Sequence, residues 1–284
     1  MKHTTFAFLY FIIITFCLAS CDKEETTVLD GSPVKITFTM QGDFAFHEMT
    51  RALEADGKAM TDVWVLDYVG TELLQAVHQT STDEDFGTPT MTLTTGEHHL
   101  YFIASRGTDP TLSTTDKTIV WAKPSDTFWT DYAVTVTPTT NGNRSVELQR
   151  VVTKLKIIVT DALPDGMTTM ELSPSTWYLG MNYQTGEPSN ASAYTTTINI
   201  PSNYAGRTNT SFSFHGMSGA TEWTTDVTVT AKNSSAETIG SVIITNVPLL
   251  RNRSTDYSGP LFGSNGGMNM TLSTDWTDSY EATW

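Results

Sequence analysis

The chain has 284 residues with 31 acidic and 16 basic side chains, a net charge of −15. A surface that negative repels phosphate, which excludes nucleic-acid binding and adsorption to anionic membranes through basic patches. Both cysteines, Cys17 and Cys21, fall near the start, so the body has no disulfide, no thiolate-held metal and no catalytic cysteine; 39% hydrophobic residues exclude global disorder. Threonine occurs 51 times, and a residue this stiff at χ1 suits half-buried strands rather than helices.

Lys2 and His3 precede an apolar run from Phe6 to Phe16. This is a basic n-region followed by an h-region too short for a comfortable membrane span. Leu18-Ala19-Ser20-Cys21 comes next and resembles the bacterial lipobox. The resemblance implies cleavage between Ser20 and Cys21 and lipidation of the Cys21 thiol. Residues 1–20 then form a lipoprotein signal peptide, and residues 21–33 a tether. Loss of Lys2 leaves 15 − 31 = −16. Asp22-Lys23-Glu24-Glu25 looks like the surface-export signal of lipoproteins in Gram-negative anaerobes; a plain solvated tether is the alternative.

Val34, Ile36, Phe38 and Met40 alternate with polar residues, which predicts a half-buried strand over 34–40. Burying those four side chains is worth roughly 6–12 kcal/mol. Ala52–Met60 is the one modest helical window, weakened by Gly57. Val63–Val69 is continuously apolar and reads as a central strand, followed by Leu73–His78, Met91–Leu93 and His99–Ile103. Tyr132, Val134 and Val136 alternate again, and Asn141-Gly142 is a turn signal. Residues 146–159 favour strand throughout but are too many for one, which predicts a crossing between domains. Later strands are expected at Trp177–Met181, Tyr194–Ile200, Phe212–Phe214, Val227–Ala231, Ile239–Val247 and Met268–Leu272. Strands at short intervals with turns between them predict an all-β chain of sandwiches. The boundary falls near 142–150, giving an N-terminal sandwich over 34–145 and a C-terminal one over 146–284. No short tandem repeat is visible.

His98 and His99 are neighbours, so on a strand they face opposite ways and do not share a metal. Asp83, Glu84 and Asp85 lack the spacing of a calcium loop and read as a solvated turn. There is no Gly-x-Ser-x-Gly, His-Glu-x-x-His or phosphate-binding loop. Trp121, Trp129, Trp177, Tyr178 and Trp223 suit sandwich cores better than a sugar platform. No cofactor, metal or catalytic residue is expected.

Three motifs join the lipobox and the threonine-rich body. The first is Thr50-Arg51-Ala52 followed by Val63–Gly70. The second is Leu148-Gln-Arg150 to Asp161, and the third Asn246-Val-Pro-Leu-Leu-Arg251-Asn252-Arg253, continuing to Phe262 and Trp276. Together they resemble the fimbrillin family of type V pili, and the third looks most like its FimB/Mfa-type branch of anchor and minor subunits. The resemblance implies two seven-stranded, Greek-key, transthyretin-like sandwiches in tandem. It also implies a fimbrial role in adhesion, with other fimbrial subunits as partners and the outer membrane reached through lipid.

In that family an Arg-specific protease cuts after the first strand, and another subunit's C-terminal strand fills the vacated groove. Arg51-Ala52 matches that site, within about 22 residues between Met40 and Val63. Val34, Ile36, Phe38 and Met40 match the groove-filling strand. A subunit that keeps this strand joins a polymer only by donating one; the tail with Tyr280, Ala282 and Trp284 permits that. The alternative is a surface glycan-binding lipoprotein, marked by a row of exposed aromatic rings. A secreted hydrolase would need converging carboxylates in a cleft.

Overall fold

The computed structural model describes residues 33–43, 59–263 and 269–273. Among them there is no α-helix, one 3-10 turn at Ser202–Tyr204, and twenty strands. The first ten are β1 (Val34–Gln41), β2 (Asp62–Val69), β3 (Glu72–Thr80), β4 (Thr90–Leu93), β5 (Gly96–Ser105), β6 (Thr111–Ser113), β7 (Thr118–Val120), β8 (Thr127–Val136), β9 (Asn143–Glu147) and β10 (Gln149–Arg150). The second ten are β11 (Val152–Val159), β12 (Met167–Pro174), β13 (Trp177–Asn182), β14 (Glu187–Ser192), β15 (Thr196–Asn199), β16 (Thr210–Met217), β17 (Trp223–Asn233), β18 (Thr238–Leu249), β19 (Ser254–Gly259) and β20 (Asn269–Ser273).

The sheet β4-β1-β9 faces the sheet β10-β8-β5-β2-β3 across one core. The sheet β16-β11-β19-β20 faces β15-β12-β17-β18 across a second. The two sandwiches share one topology. β1 lies antiparallel to β4 and parallel to β9, and β11 likewise lies antiparallel to β16 and parallel to β19. Opposite them, the order β8-β5-β2-β3 repeats as β18-β17-β12-β15. Seven strands match seven, although the sequence carries no visible repeat. β10 and β20 are extra strands.

Each sandwich also carries an inserted hairpin. β6–β7 follows β5, and β13–β14 follows β12. β7 pairs with β13, so the two insertions build a fifth sheet, β14-β13-β7-β6, from both halves of the chain. Gly180 makes this pairing fit: a Cβ there would lie 2.7 Å from the Ile119 carbonyl oxygen. This sheet covers the outer face of β2 and β5. Trp64, Leu66, Tyr68, Tyr101 and Ile103 therefore pack against Ile119, Trp121, Met181, Tyr183 and Met217 in a third core. β2 is buried on both faces, which is why its sequence is apolar without alternation.

The strand-favouring run 146–159 is three strands in three sheets. β9 pairs with β1, β10 with β8, and β11 with β16 and β19. Sequence reasoning passed over β6, β7, β12, β14 and β19. β19 is the instructive case: Ser254 and Thr255 are polar yet buried, because β19 is an interior strand between β11 and β20.

Candidate functional site

The first strand and the ground beneath its end form the best-defined site. β1 is held on both sides. Against β4 it pairs Val34 with Leu93 and Ile36 with Met91, and the Thr37 and Thr90 hydroxyls meet at 2.8 Å. Against β9 it pairs Phe38 with Arg144 and Met40 with Val146. The Thr37 amide donates to the Gly142 carbonyl at 2.8 Å, and a Cβ on Gly142 would crowd the Lys35 carbonyl at 3.0 Å. The Asn141-Gly142 turn thus brings the chain hard against β1.

Ile36 and Phe38 are fully buried and Met40 nearly so. Phe38 meets Phe102 edge-on at 5.1 Å and Tyr132 at 6.2 Å. Lys35 is exposed and Thr37 half-buried, as the alternation predicts. Val34 differs from expectation. At the strand's start it is only half-buried, so three side chains carry the burial rather than four. Their contribution is about 4.5–9 kcal/mol, at roughly 1.5–3 each.

At its far end β1 meets the joint between the sandwiches. The Leu148 amide donates to the Gln41 carbonyl at 2.8 Å. Beside it the buried Arg150 guanidinium forks onto Asp126, with Nε to Oδ1 at 2.7 Å and NH2 to Oδ2 at 3.0 Å. The same group reaches Asp43 just past β1 at 3.2 Å, and Asn252 of the second sandwich at 3.2 Å. It also lies over the Phe128 ring. A bidentate, buried pair of this kind is among the stronger polar contacts a protein makes, and its loss leaves an uncompensated charge.

The second and third sequence motifs meet here. Arg251 donates to the Gly186 and Ser218 carbonyls and so pins the β13–β14 hairpin, while the Arg253 carbonyl accepts the Lys154 amide. Burial lowers the Arg251 pKa, with Glu187 opposing it. Across the joint, the Tyr68 and Tyr183 hydroxyls meet at 2.7 Å, Lys117 donates to Tyr68 at 2.9 Å, and the Trp129 indole donates to the Tyr183 carbonyl at 2.7 Å. Burial, then the Tyr68 hydroxyl, pushes the Tyr183 pKa well up. Motifs that read as scattered signatures are the contacts of one joint; no sequence spacing reveals that they converge.

Two histidines are buried for different reasons. His98 points inward from β5 while His99 stays exposed, as adjacency requires. The His98 Nδ1 lies 2.7 Å from Asp67 and its Nε2 2.9 Å from the Thr94 carbonyl. Two acceptors on two ring nitrogens favour the protonated ring. Burial works against the charge, but Asp67 and the Thr94 carbonyl outweigh it, and the pKa rises. His215 is held neutral: burial, with Arg106, Lys154 and Arg150 nearby and only Asp126 opposing, brings its pKa down to about 3.

Among the described residues, the tryptophans and Tyr178 pack against neighbours rather than forming an open platform. Trp121 and Trp177 are buried. Trp223 stands edge-on to Trp177 and Tyr178, and Trp129 covers Gly186. Among the described residues, the exposed large hydrophobics are Leu74 and Ile243. Asp83 accepts the Thr80 amide at 2.6 Å and serves as a turn cap. Ser20, Cys21, Arg51, Ala52 and the tail from 274 lie outside the described residues, as does most of the helical window 52–60.

A model of a family of unknown function, DUF6562, matches residues 98–284. No curated protein matches the sequence. Several solved structures share the fold. A candidate adhesin from Bacteroides ovatus has a TM-score of 0.51 at 8% identity, over 77% of this chain and 85% of that one. A structure from Bacteroides thetaiotaomicron, described as candidate polysaccharide-binding proteins, has a TM-score of 0.50 at 9% identity, over 85% and 98%. The tip fimbrial protein Mfa3 from Porphyromonas gingivalis, with a C-terminal truncation, has a TM-score of 0.46 at 14% identity, over 85% and 100%.

Proposed function

The chain belongs to the family of unknown function DUF6562, and from that premise we propose that it is a lipid-anchored, surface-exposed fimbrial subunit. Its work is structural and adhesive rather than catalytic. The observation that carries this reading is the seating of β1. An N-terminal strand lies in parallel beside β9, with Ile36, Phe38 and Met40 filling the first core. A strand at the start of a chain can leave or be replaced without cutting the rest of its domain. The adhesin fold and the resemblance of the lipobox and motifs to fimbrillins support the same reading. Other fimbrial subunits are its partners, and a host or bacterial surface glycan or protein is the adhesive target.

In this reading residues 1–20 are removed, Cys21 carries the lipid, and 21–33 is the tether. The two units divide near Val151, not at 145–146 as the sequence suggests, because β9 and β10 both join sheets of the first sandwich and β11 opens the second. The chain is an anchor or minor subunit of the FimB/Mfa type while it keeps β1, and it joins its neighbours by strand donation. Cleavage between Arg51 and Ala52 would make it a shaft or tip subunit. The role of β1 accounts for the coupling: its burial, about 4.5–9 kcal/mol, rivals a domain's whole stability of about 5–15 kcal/mol. Its loss therefore requires a replacement strand.

The native N-terminus tests the proposal. A mature chain starting at lipidated Cys21 marks an anchor, and one starting at Ala52 a shaft or tip subunit. Cys21→Ala should abolish palmitate labelling and release the protein from the membrane; unchanged retention refutes the anchor. A glycan-binding lipoprotein is the second reading. The packing of Trp129, Tyr178 and Trp223 against their neighbours speaks against an aromatic sugar platform among the described residues.

A further inference from the structure

Strand edges expose unpaired main-chain groups, and proteins usually guard them with short length, charge or a bulge. Two described edge strands exceed eight residues, β3 with 9 and β18 with 12. β3 is guarded. It starts at Glu72, is irregular where Leu74 bulges opposite the Asp67–Tyr68 step, and holds His78 to Asp62. β18 is bulged once near its start, at Ile239, and from Gly240 to Ile244 it pairs regularly with β17 and carries no charge. Thr238-Ile-Gly-Ser-Val-Ile-Ile-Thr245 has no charged side chain and no proline. A second irregularity at Thr245–Asn246, where Asp226 takes the Asn246 amide, ends this regular stretch. Apart from their pairing with β17, the main-chain groups of 238–245 make no hydrogen bond among the described residues. Within the run Ile243 is 66% exposed, the most exposed large hydrophobic described.

We propose that the 238–245 edge of β18 is a self-association surface, pairing antiparallel with the same edge of a second copy about a two-fold axis through Ile243. Two observations select this occupant. The first is the pattern. Rotation about Ile243 sets Ile243 against its own copy, Ser241 against Thr245 on the outer face, and Val242 against Ile244 on the inner one. Each of these three pairs matches like with like, as an isologous contact demands. The second is charge. Two molecules of net charge −15 repel over most of their surfaces. The uncharged stretch 241–245 that faces its own copy is about 16 Å long, at roughly 3.3 Å per residue, and lets their main chains approach without opposing carboxylates. Joining the edges makes one eight-stranded sheet from two four-stranded ones. This inference is independent of the anchor reading.

The test uses the full chain, extracted in mild detergent, with its mass followed against concentration. The wild type should shift from monomer to dimer. Ile243→Lys, which places two cations face to face, should raise the dissociation constant about tenfold or more. Because Ile243 is exposed, this variant should keep its thermal midpoint. Ile243→Cys should give an oxidant-dependent disulfide homodimer, and Leu74→Cys on the guarded edge should not. A wild type that stays monomeric at every concentration overturns the proposal. So does Ile243→Cys cross-linking only to a Leu74→Cys chain, which means head-to-tail contact, or only to another protein in cells. If deleting residues 274–284 turns a monomer into a dimer, the tail is the occupant and the proposal fails.

Discussion

Single side chains in the first core set the balance of this protein. Phe38 is fully buried between Phe102 and Tyr132, so Phe38→Ala should destabilise by about 3–5 kcal/mol, read from denaturant titration. Its inward direction was legible from strict alternation, since a period of two admits one buried face. The paired histidines were half legible: adjacency separates their faces, but only the fold brings Asp67 to His98.

The histidines yield a prediction with two limbs. The folded pKa of His98 is raised, so its stabilisation is full below the unfolded value near 6.5 and fades as pH climbs through the folded one. The folded pKa of His215 is down at about 3. There the unfolded chain takes up a proton that the folded chain refuses, so stability present above 6.5 drains away as pH falls toward 3. Thermal unfolding should therefore show an optimum near pH 6.5. His98→Gln should flatten the alkaline limb and His215→Leu the acid one. Limbs unchanged in both variants would refute the assignment.

Elements show where pattern reading succeeds and where it stops. β1, β2, β5, β16 and β17 announce themselves through alternation or continuous apolar runs. β14 and β19 do not, because their pairing is supplied by neighbours rather than by their own side chains. The stretch 146–159 was recognisable as too long for one strand, yet the breaks at Leu148 and Val151 come from switching sheets, which no local signal encodes. The meeting of β7 and β13 rests on one glycine. Gly180→Val should push the Ile119 carbonyl away and destabilise by about 1–3 kcal/mol. Hydrogen exchange should localise the loosening to 118–120 and 180–182, and uniform protection there would contradict the role given to Gly180.

The whole molecule is tied together more firmly than two tandem sandwiches need to be. The hairpin of each half pairs with the hairpin of the other, and the third core lies between them. Interfaces that large and apolar couple domains. Calorimetry should give one transition, with calorimetric and van't Hoff enthalpies in a ratio near one. Tyr183→Ala, which removes the hydroxyl contact with Tyr68 and leaves a cavity, should split or broaden that transition; two well-separated transitions in the wild type would refute the coupling. The doubled topology beneath this was invisible in sequence, because strand order and sheet pairing can repeat while side chains diverge.

The parallel pairings have a mechanical meaning. In each sandwich the chain enters through a strand, β1 or β11, that lies parallel to a strand near its exit, β9 or β19. A pull on the entering strand's N-terminal end, resisted at the leaving strand's C-terminal end, slides the two past each other along their length. The hydrogen bonds between them run across the direction of pull and are strained together instead of one after another. Antiparallel hairpins tugged at their open ends peel like a zipper; these pairs are loaded in shear. A molecule stretched between a membrane and a surface under flow would resist there first, at the strands that open and close each sandwich.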